Sequence, residues 1–256
     1  MSKYAADIAG SLPALSIEVV SLGAGQGGKD LWLLESLRAN GTAVRYRPVD
    51  SSLALLELAL LRAEEAGFPA LGIKADLASS KTASALAASA NGPRLYLVLG
   101  NSLGLIHPVD FLAALRALLR PEDRLLADGE VFHSIDTMTG YDNPVNRRFA
   151  FAPLAGLGLE EGRDGALVFE GDTDPRVTTL HLVTKHFRAA RRLDIPIAGQ
   201  RVSLDPGEKV AMNCSYKYAP GAFQELLREA GGFRPLAEYR SEDERFVMVL
   251  AAPCPK

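Results

Sequence analysis

Gly23, Gly25 and Gly28 stand in the stretch Ile17–Lys29, which reads as a short apolar strand, a glycine-rich turn and the start of a helix. Glycine at 23 and 25 lets the backbone approach a bound group where a Cβ would clash. The helix N-terminus beyond the turn offers unpaired N–H groups and a positive dipole end to an anion. Strand, turn and helix of this kind hold a nucleotide-like cofactor at the carboxyl edge of an α/β sheet. The G-x-G-x-x-G spacing is shared by nicotinamide sites, S-adenosylmethionine sites and plain tight turns, so the cofactor has to be read from other residues.

Asp50, with Ser51 beside it, closes the second β-rich run, where a carboxylate can accept hydrogen bonds from ribose hydroxyls under either cofactor. Lys29 discriminates further. A cation in the first turn of a helix opposes the dipole, a local cost that invites a compensating anion such as the methionine carboxylate of S-adenosylmethionine. An exposed surface lysine is the plain alternative. Asp76 and Leu77 end the third run, where an acidic residue in S-adenosylmethionine sites faces the adenine amino group; a helix-capping Asp before Ser79 is the alternative. Gly100, Asn101 and Ser102, within Leu99–Gly104, follow the fourth run, where the methyl-bearing sulfonium lies in this architecture, unless the segment is only a strand-to-loop turn.

These residues need a scaffold that brings strand ends together. From residue 17 to about 130 the runs Ile17–Gly23, Ala43–Asp50, Ala70–Leu77, Arg94–Gly100 and Arg124–Gly129 alternate with helical patterns at Lys29–Ala39, Leu53–Ala66, Ser80–Ala90 and Val109–Leu119. Pro108 suits the first turn of the last helix and Pro121 marks its end. Such alternation predicts right-handed βαβ units and a mostly parallel sheet covered on both faces. Beyond 130 the texture changes. Gly129–Pro153 is polar and reads as a loop or lid. Ala166–Glu170 and Arg176–Phe187 read as a hairpin about Gly171–Pro175, and a further strand pair surrounds Asp205–Glu208. A helix over Gly221–Ala230 and strands over Phe233–Tyr239 and Phe246–Ala251 close the chain in an antiparallel finish. The expected architecture is α/β and Rossmann-like: residues 1–130 a cofactor-binding core, 131–210 a substrate lobe, and 211–256 the strands and helix that complete the core.

The 256 residues carry a net charge of −3 and are 48% hydrophobic, which fits one large α/β domain or a domain with an appended lobe and gives no reason to expect nucleic acid or an anionic membrane as partner. Cys214 and Cys254 make no disulfide framework, no apolar run approaches membrane-spanning length, and Met1–Asp7 lacks a signal-peptide core, so a cytoplasmic location is expected. The four histidines (107, 133, 181 and 186) are scattered and show no metal-ligand spacing. His133 is the one considered as a proton acceptor, and His181 reads as structural.

Ser21–Lys29, Pro48–Asp50, Leu99–Gly104, Tyr141–Asp142, Thr179–Val183 and Asn213–Lys217 occur in the order and at the spacing of a known family over roughly residues 17 to 252. The chain resembles the histidine Nα-methyltransferase family of ergothioneine biosynthesis. The resemblance implies a class I S-adenosylmethionine-dependent methyltransferase with an inserted substrate lobe. Gly23, Gly25 and Lys29 would hold the methionine part of the cofactor, Asp50 the ribose, and Asp76 with Leu77 the adenine.

On the acceptor side the pattern departs. Asn213 stands where the family carries a glutamate that reads imidazole, two positions before Ser215, and an amide supplies no negative charge. The stretch Arg148–Ala152 lacks the family's asparagine, although Asn143 and Asn146 lie upstream. Arg147 and Arg148 could take over carboxylate recognition, and Phe149 and Phe151 could line the lobe; exposed arginines and ordinary core aromatics are the alternatives. The family's longer N-terminal region contributes aromatic residues to its pocket, whereas this chain begins almost at the first strand, so the pocket is expected either to be more open or to be completed by a homo-oligomer or a partner subunit. The expected reaction is methyl transfer to a small-molecule acceptor, an amino acid or other small amine that is not histidine. Tyr141, Asn213 and Ser215 would orient the acceptor, and Arg148, Phe149 and Leu180 would join them in binding it. O- or S-methylation, intramolecular S-adenosylmethionine chemistry, a nicotinamide-dependent oxidoreductase and a non-catalytic cofactor-binding subunit are the alternatives.

Overall fold

The computed structural model describes residues 1–12, 15–77, 79, 82, 86, 92–133 and 135–255, with the side chains of 135 and 136 excepted. The helix expected over Ser80–Ala90 lies outside the described residues except at Thr82 and Leu86, which are helical. The contacts divide the chain into two units, residues 1–131 with 221–256, and residues 132–220.

The first unit is built on a seven-stranded sheet. Its strands are β1 (Ser16–Leu22), β2 (Ala43–Asp50), β3 (Ile73–Lys74), β4 (Arg94–Val98), β5 (Arg124–Glu130), β11 (Phe233–Arg240) and β12 (Phe246–Pro253). The spatial order is β11-β12-β5-β4-β1-β2-β3. β3, β2, β1, β4 and β5 run parallel, and β12 is antiparallel to both β5 and β11. The central strands β1 and β4 are buried almost throughout, as strands covered on both faces must be. Helices α2 (Gly28–Ala39), α3 (Leu53–Glu65), α4 (Pro108–Leu118) and α7 (Ala222–Glu229) belong to this unit, and Ser52 caps α3 by accepting from Leu55 N at 3.4 Å. The strand expected over Ala70–Leu77 shrinks to Ile73–Lys74, with one further bridge from Ala70 to Tyr46. A short helix unread in the sequence, α1 (Ala5–Gly10), precedes β1 and buries Ala5, Ile8 and Ala9.

Chain order reverses at β1, which has β2 on one side and β4 on the other. Connections leave a crevice at the carboxyl ends of strands at such a switch point. The Gly23 turn follows β1 and Leu99–Ser102 follows β4, so both open on this crevice. At the opposite, amino end, Glu18 pairs with Arg94 at 2.6 Å and with Arg47 at 2.7 Å, which satisfies charges buried inside central strands.

The second unit, residues 132–220, holds α5 (Ile135–Tyr141), α6 (Pro144–Gly156), a three-stranded antiparallel sheet ordered β10-β7-β6, and the β8–β9 hairpin. The strands are β6 (Gly165–Thr173), β7 (Leu180–Ala189), β8 (Leu193–Ile197), β9 (Gln200–Leu204) and β10 (Lys209–Tyr218). Its core gathers Phe151 and Leu154 of α6 with Leu167, Phe187, Leu193 and Ile195.

Here the structure corrects the sequence reading. The segment expected as a polar loop is largely helical: Asn143 Oδ1 accepts from the backbone N–H of Val145 and Asn146, both at 3.0 Å, and Pro144 occupies the first turn of α6. The β6–β7 hairpin forms, but its strands run on to Thr173 and from Leu180, so the turn lies later than Gly171–Pro175. The strands flanking Asp205–Glu208 do not pair with each other; β9 pairs with β8 and β10 with β7. β10 crosses position 210, where the sequence divided lobe from core, because it pairs with β7 along its whole length.

Candidate active site

Two carboxylates at the carboxyl edge of the sheet, Asp50 and Asp128, each organise a loop. Gly23 and Ala24 donate their N–H groups to Val49 O at 2.9 and 3.1 Å, which ties the glycine turn to the end of β2. Asp50 then clamps it: Oδ2 accepts from Gly25 N at 2.8 Å and Oδ1 from Ser52 N at 2.8 Å. One side chain thus positions both the turn and the capped start of α3, and each oxygen keeps a lone pair for a further donor. Ser51, between them, is exposed.

Gly23 has φ +76°, and a Cβ placed on it would lie 2.7 Å from Ser102 Oγ, so only glycine admits this approach of the two loops. Ser102 Oγ donates to Leu99 O at 2.9 Å. Leu77 Cδ1 would stand 3.6 Å from the same Cβ, which places Leu77 against the turn. The Asp76 side chain is exposed, and its carbonyl accepts from Ser79 N and Thr82 Oγ1 at 3.1 and 2.7 Å.

Asp128, near the end of β5, was missed in the sequence and is the counterpart of Asp50. Its Oδ2 and Oδ1 accept from Gly100 N and Asn101 N, both at 2.8 Å, and Asn101 sits in the left-handed region at φ 62°. Burial pushes its carboxyl up from the usual range, against the pull of those two N–H groups and of Lys29. Lys29 Nζ lies 3.9 Å from Asp128 Oδ2. The anion expected opposite the Lys29 cation is therefore supplied in part by the protein. The available signal was an acid at the carboxyl end of a central parallel strand, masked because Asp128 reads equally well as part of a polar strand terminus.

Ser21, Gly23–Asp30, Trp32, Leu99, Gly100 and Ser102 line a cleft of ≈ 440 Å³. Lys29, Trp32 and Leu99 also border a smaller cavity of ≈ 260 Å³, with Tyr4, Asp128 and Phe246 among its other walls. Beneath the cleft, Asp30 is 2% exposed and accepts from Tyr46 Oη at 2.5 Å. Burial drives its carboxyl up to about 6, outweighing the Tyr46 and Ser21 hydrogen bonds that favour the anion. An acid whose folded pKa is raised penalises the fold above that value. The penalty is absent below about pH 4, grows between about pH 4 and 6, and is complete at neutral pH, where it amounts to about 3 kcal/mol. Asp30→Asn is therefore expected to stabilise the protein by about 2–3 kcal/mol at pH 7.5 and by almost nothing near pH 4. Urea unfolding of both proteins across that range checks the sign; a gain that persists undiminished at acid pH would show the carboxyl to be unperturbed.

The acceptor candidates all fall in the second unit. Register pairs β10 with β7 as Asn213↔Lys185, Ser215↔Val183 and Lys217↔His181, and residues directly opposite share one face. Lys185 and Lys217 both reach the ring of Tyr141 from this face, at 5.3 and 4.7 Å from its centroid. Lys217 is fully buried and donates to Ser215 Oγ at 2.8 Å. His181 stacks on Phe132 at 4.1 Å, and burial lowers its pKa, which keeps the imidazole neutral. Lys217 thus links Tyr141 to Ser215, and Lys185 links it to the register position of Asn213. Leu180 is buried on the other face of β7, one residue out of phase with His181. Arg148 is exposed and Phe149 is 68% exposed on α6, whose buried face is formed by Ala150, Phe151 and Leu154. Arg147 pairs with Asp142 at 2.5 Å and Glu161 at 2.8 Å. His133 Nε2 is buried without a hydrogen-bond partner among the described residues. The two lysines beside Tyr141 were missed because alternating strands ordinarily place charge toward solvent.

The fold superposes on a solved S-adenosylmethionine-dependent methyltransferase from Clostridium acetobutylicum ATCC 824 with a TM-score of 0.51, at 12% identity, over 99% of this chain and 91% of that one. At that identity the likeness is one of fold. A family model described as histidine-specific methyltransferase, S-adenosylmethionine-dependent, matches residues 1–151 and 177–253. Among curated proteins, the histidine N-alpha-methyltransferase of Mycobacterium tuberculosis (strain CDC 1551 / Oshkosh) is 27% identical over 248 residues, covering 91% of this chain and 74% of its own. A Rossmann-like S-adenosylmethionine-dependent methyltransferase is the class that sheet order and sequence define together. Within that class the chain belongs to the histidine-specific methyltransferase family. The cleft fits the cofactor of the family: Gly23, Gly25 and Lys29 line it, a Cβ on Gly23 would collide with Ser102, and Asp50 holds the turn through Gly25 N. Among the described residues no group of three or more His, Cys, Asp or Glu could hold a metal ion, and no helix is long and apolar enough to cross a membrane.

Proposed function

We propose that this methyltransferase acts on the amine nitrogen of a small acceptor, an amino acid or related compound other than histidine. One observation carries the reading. The side chain at the centre of the β7–β10 face is the neutral amide of Asn213, and the charged groups packed beside Tyr141 are the cations Lys185 and Lys217. Among the described residues, the paired positions Asn213, Ser215, Lys217, Lys185, Val183 and His181 of that face include no carboxylate to neutralise or orient an imidazole.

The first unit is assigned the cofactor. Gly23, Gly25, Lys29, Gly100, Asn101 and Ser102 surround its methionine part, Asp50 and Ser51 its ribose, and Asp76 with Leu77 its adenine. Bound there, S-adenosylmethionine supplies an electrophilic methyl on a sulfonium, a leaving group that needs no further activation. The protein's share is alignment and exclusion of water. Tyr141, Asn213 and Ser215 in the second unit orient the acceptor amine, which arrives unprotonated, so no strong base is required of them.

Incubation with methyl-labelled S-adenosylmethionine and a panel of histidine, other amino acids, amines, phenols and thiols tests the assignment. N-methylation of a non-histidine amine, with histidine at background, is the expected outcome. Turnover of histidine comparable to the best amine would refute the acceptor class, and labelling confined to phenols or thiols would refute nitrogen as the target.

A further inference from the structure

Lys185 is 4% exposed, in the middle of the β6–β7–β10 sheet. Its ammonium lies over two aromatic faces, 5.3 Å from the Tyr141 centroid and 5.9 Å from that of Phe169. Among the described residues it has neither a carboxylate nor a hydrogen-bond acceptor. Lys217, which flanks the same Tyr141 ring, differs in donating to Ser215 Oγ at 2.8 Å. Aromatic faces compensate a buried ammonium only in part. Directly opposite Lys185 in register stands Asn213, whose Oδ1 is buried and has no hydrogen-bond partner among the described residues. A bulge between Ala211 and Asn213 re-aims β10 at this point. Buried polar groups are nearly always paired, so an unmatched cation and an unmatched acceptor facing each other across a strand pair mark a place left for a third group.

The groups around it decide what that group is. Tyr141 approaches from α5 and Phe169 from β6, while the pairs Ser215↔Val183 and Lys217↔His181 follow two and four residues further along the same strand pair. Arg147 lies 5.4 Å from the other contact ring, Phe169, but is already paired with Asp142 and Glu161. The charges that flank Tyr141 from the strand pair, Lys185 and Lys217, are both positive, and burial lowers the pKa of His181. A cationic ligand group would meet like charge; a neutral one would leave Lys185 unpaired. We propose that Lys185 and Asn213 form a carboxylate-reading subsite, in which the ammonium pairs an oxyanion of the acceptor and Asn213 Oδ1 accepts from an N–H or O–H beside it. Rings of Tyr141 and Phe169 flank the ammonium and keep water from it, which strengthens the ion pair. Lys185 is then a specificity-determining residue, and the acceptor is an acid. The assignment rests on the small-acceptor reading above, and deepens it by naming Lys185 and Asn213 as the residues that read a carboxylate of the acceptor.

The test compares matched acids and amides: aspartate with asparagine, glutamate with glutamine, phenylalanine with phenylalaninamide, and para-aminobenzoate with para-aminobenzamide. Binding is read as a melting shift with and without S-adenosylhomocysteine, and turnover with labelled S-adenosylmethionine. Wild type is expected to favour the acid of at least one pair by about ten-fold or more. Lys185→Met should abolish that preference while leaving S-adenosylhomocysteine affinity unchanged, and should raise the ligand-free melting temperature, because an unpaired buried cation is removed. Lys185→Gln provides the same comparison should the methionine variant not fold. Equal use of acids and amides by wild type, survival of the preference in both variants, or absence of any acid-induced shift in protein that binds S-adenosylhomocysteine would each overturn the subsite. Failure to bind S-adenosylhomocysteine while acids still shift the melting would instead count against the methyltransferase reading alone.

Discussion

Asp128→Ala is expected to lower stability by about 2–5 kcal/mol, since two backbone donors, Gly100 N and Asn101 N, lose their acceptor in a site that is 8% exposed. For a chain of this size that corresponds to a fall in melting temperature of roughly 5–15 °C. The same change frees the loop after β4 and leaves Lys29 without its nearest carboxylate, so cofactor affinity should fall with stability. Asp128→Asn separates the two effects. Its amide oxygen still accepts one of the N–H groups while the charge is gone, so it should recover part of the stability. A melting temperature within about 2 °C of wild type in the alanine variant would show that the loop does not depend on the carboxylate.

Asp50→Ala carries the second large effect, on binding. Under the proposed ribose role the buried carboxylate both receives ribose hydroxyls and holds Gly25 N at 2.8 Å, so its loss removes a contact and loosens the turn that makes the others. A loss of about 1–3 kcal/mol, or roughly 5- to 150-fold in the dissociation constant of S-adenosylhomocysteine, is expected by isothermal titration. NAD, titrated in parallel, should not bind either protein. An unchanged dissociation constant in a folded variant would remove Asp50 from the cofactor site, and tight NAD binding would argue for a nicotinamide site in its place. The two carboxylates act alike in the fold, each collecting two backbone N–H groups at a strand's carboxyl end, and the two substitutions should be separable because only Asp50 is assigned a direct hydrogen bond to the ligand.

Much of this molecule could be read from local signals. The glycine turn, the acid that ends β2 and the alternation of β-rich runs with helical patterns outside residues 70–91 are short-range features that the structure keeps, because burial on both faces demands apolar strands and the switch point demands a turn. The antiparallel finish was legible for the same reason, since a helix, Gly231–Gly232 and two β-rich runs specify their own pairing. Where local signals competed, the reading failed. Polar residues over Gly129–Pro153 suggested a loop, although Asn143 and Pro144 carry a helix-start signature that the structure uses.

By itself the sequence determined the class of fold, the cofactor and the family, because those depend on the order of compact motifs along the chain. Tertiary structure alone decided which charges are buried and what they face. Asp128 acquires its role only when β5 lies beside β4, bringing a carboxylate to two N–H groups more than twenty residues away. Lys185 and Asn213 become a pair only through the register of β7 with β10, and their burial comes from the neighbouring strands and from Tyr141 of α5. A period-two strand pattern shows which side chains share a face; which face is covered, and by what, is settled by packing between elements distant in the chain.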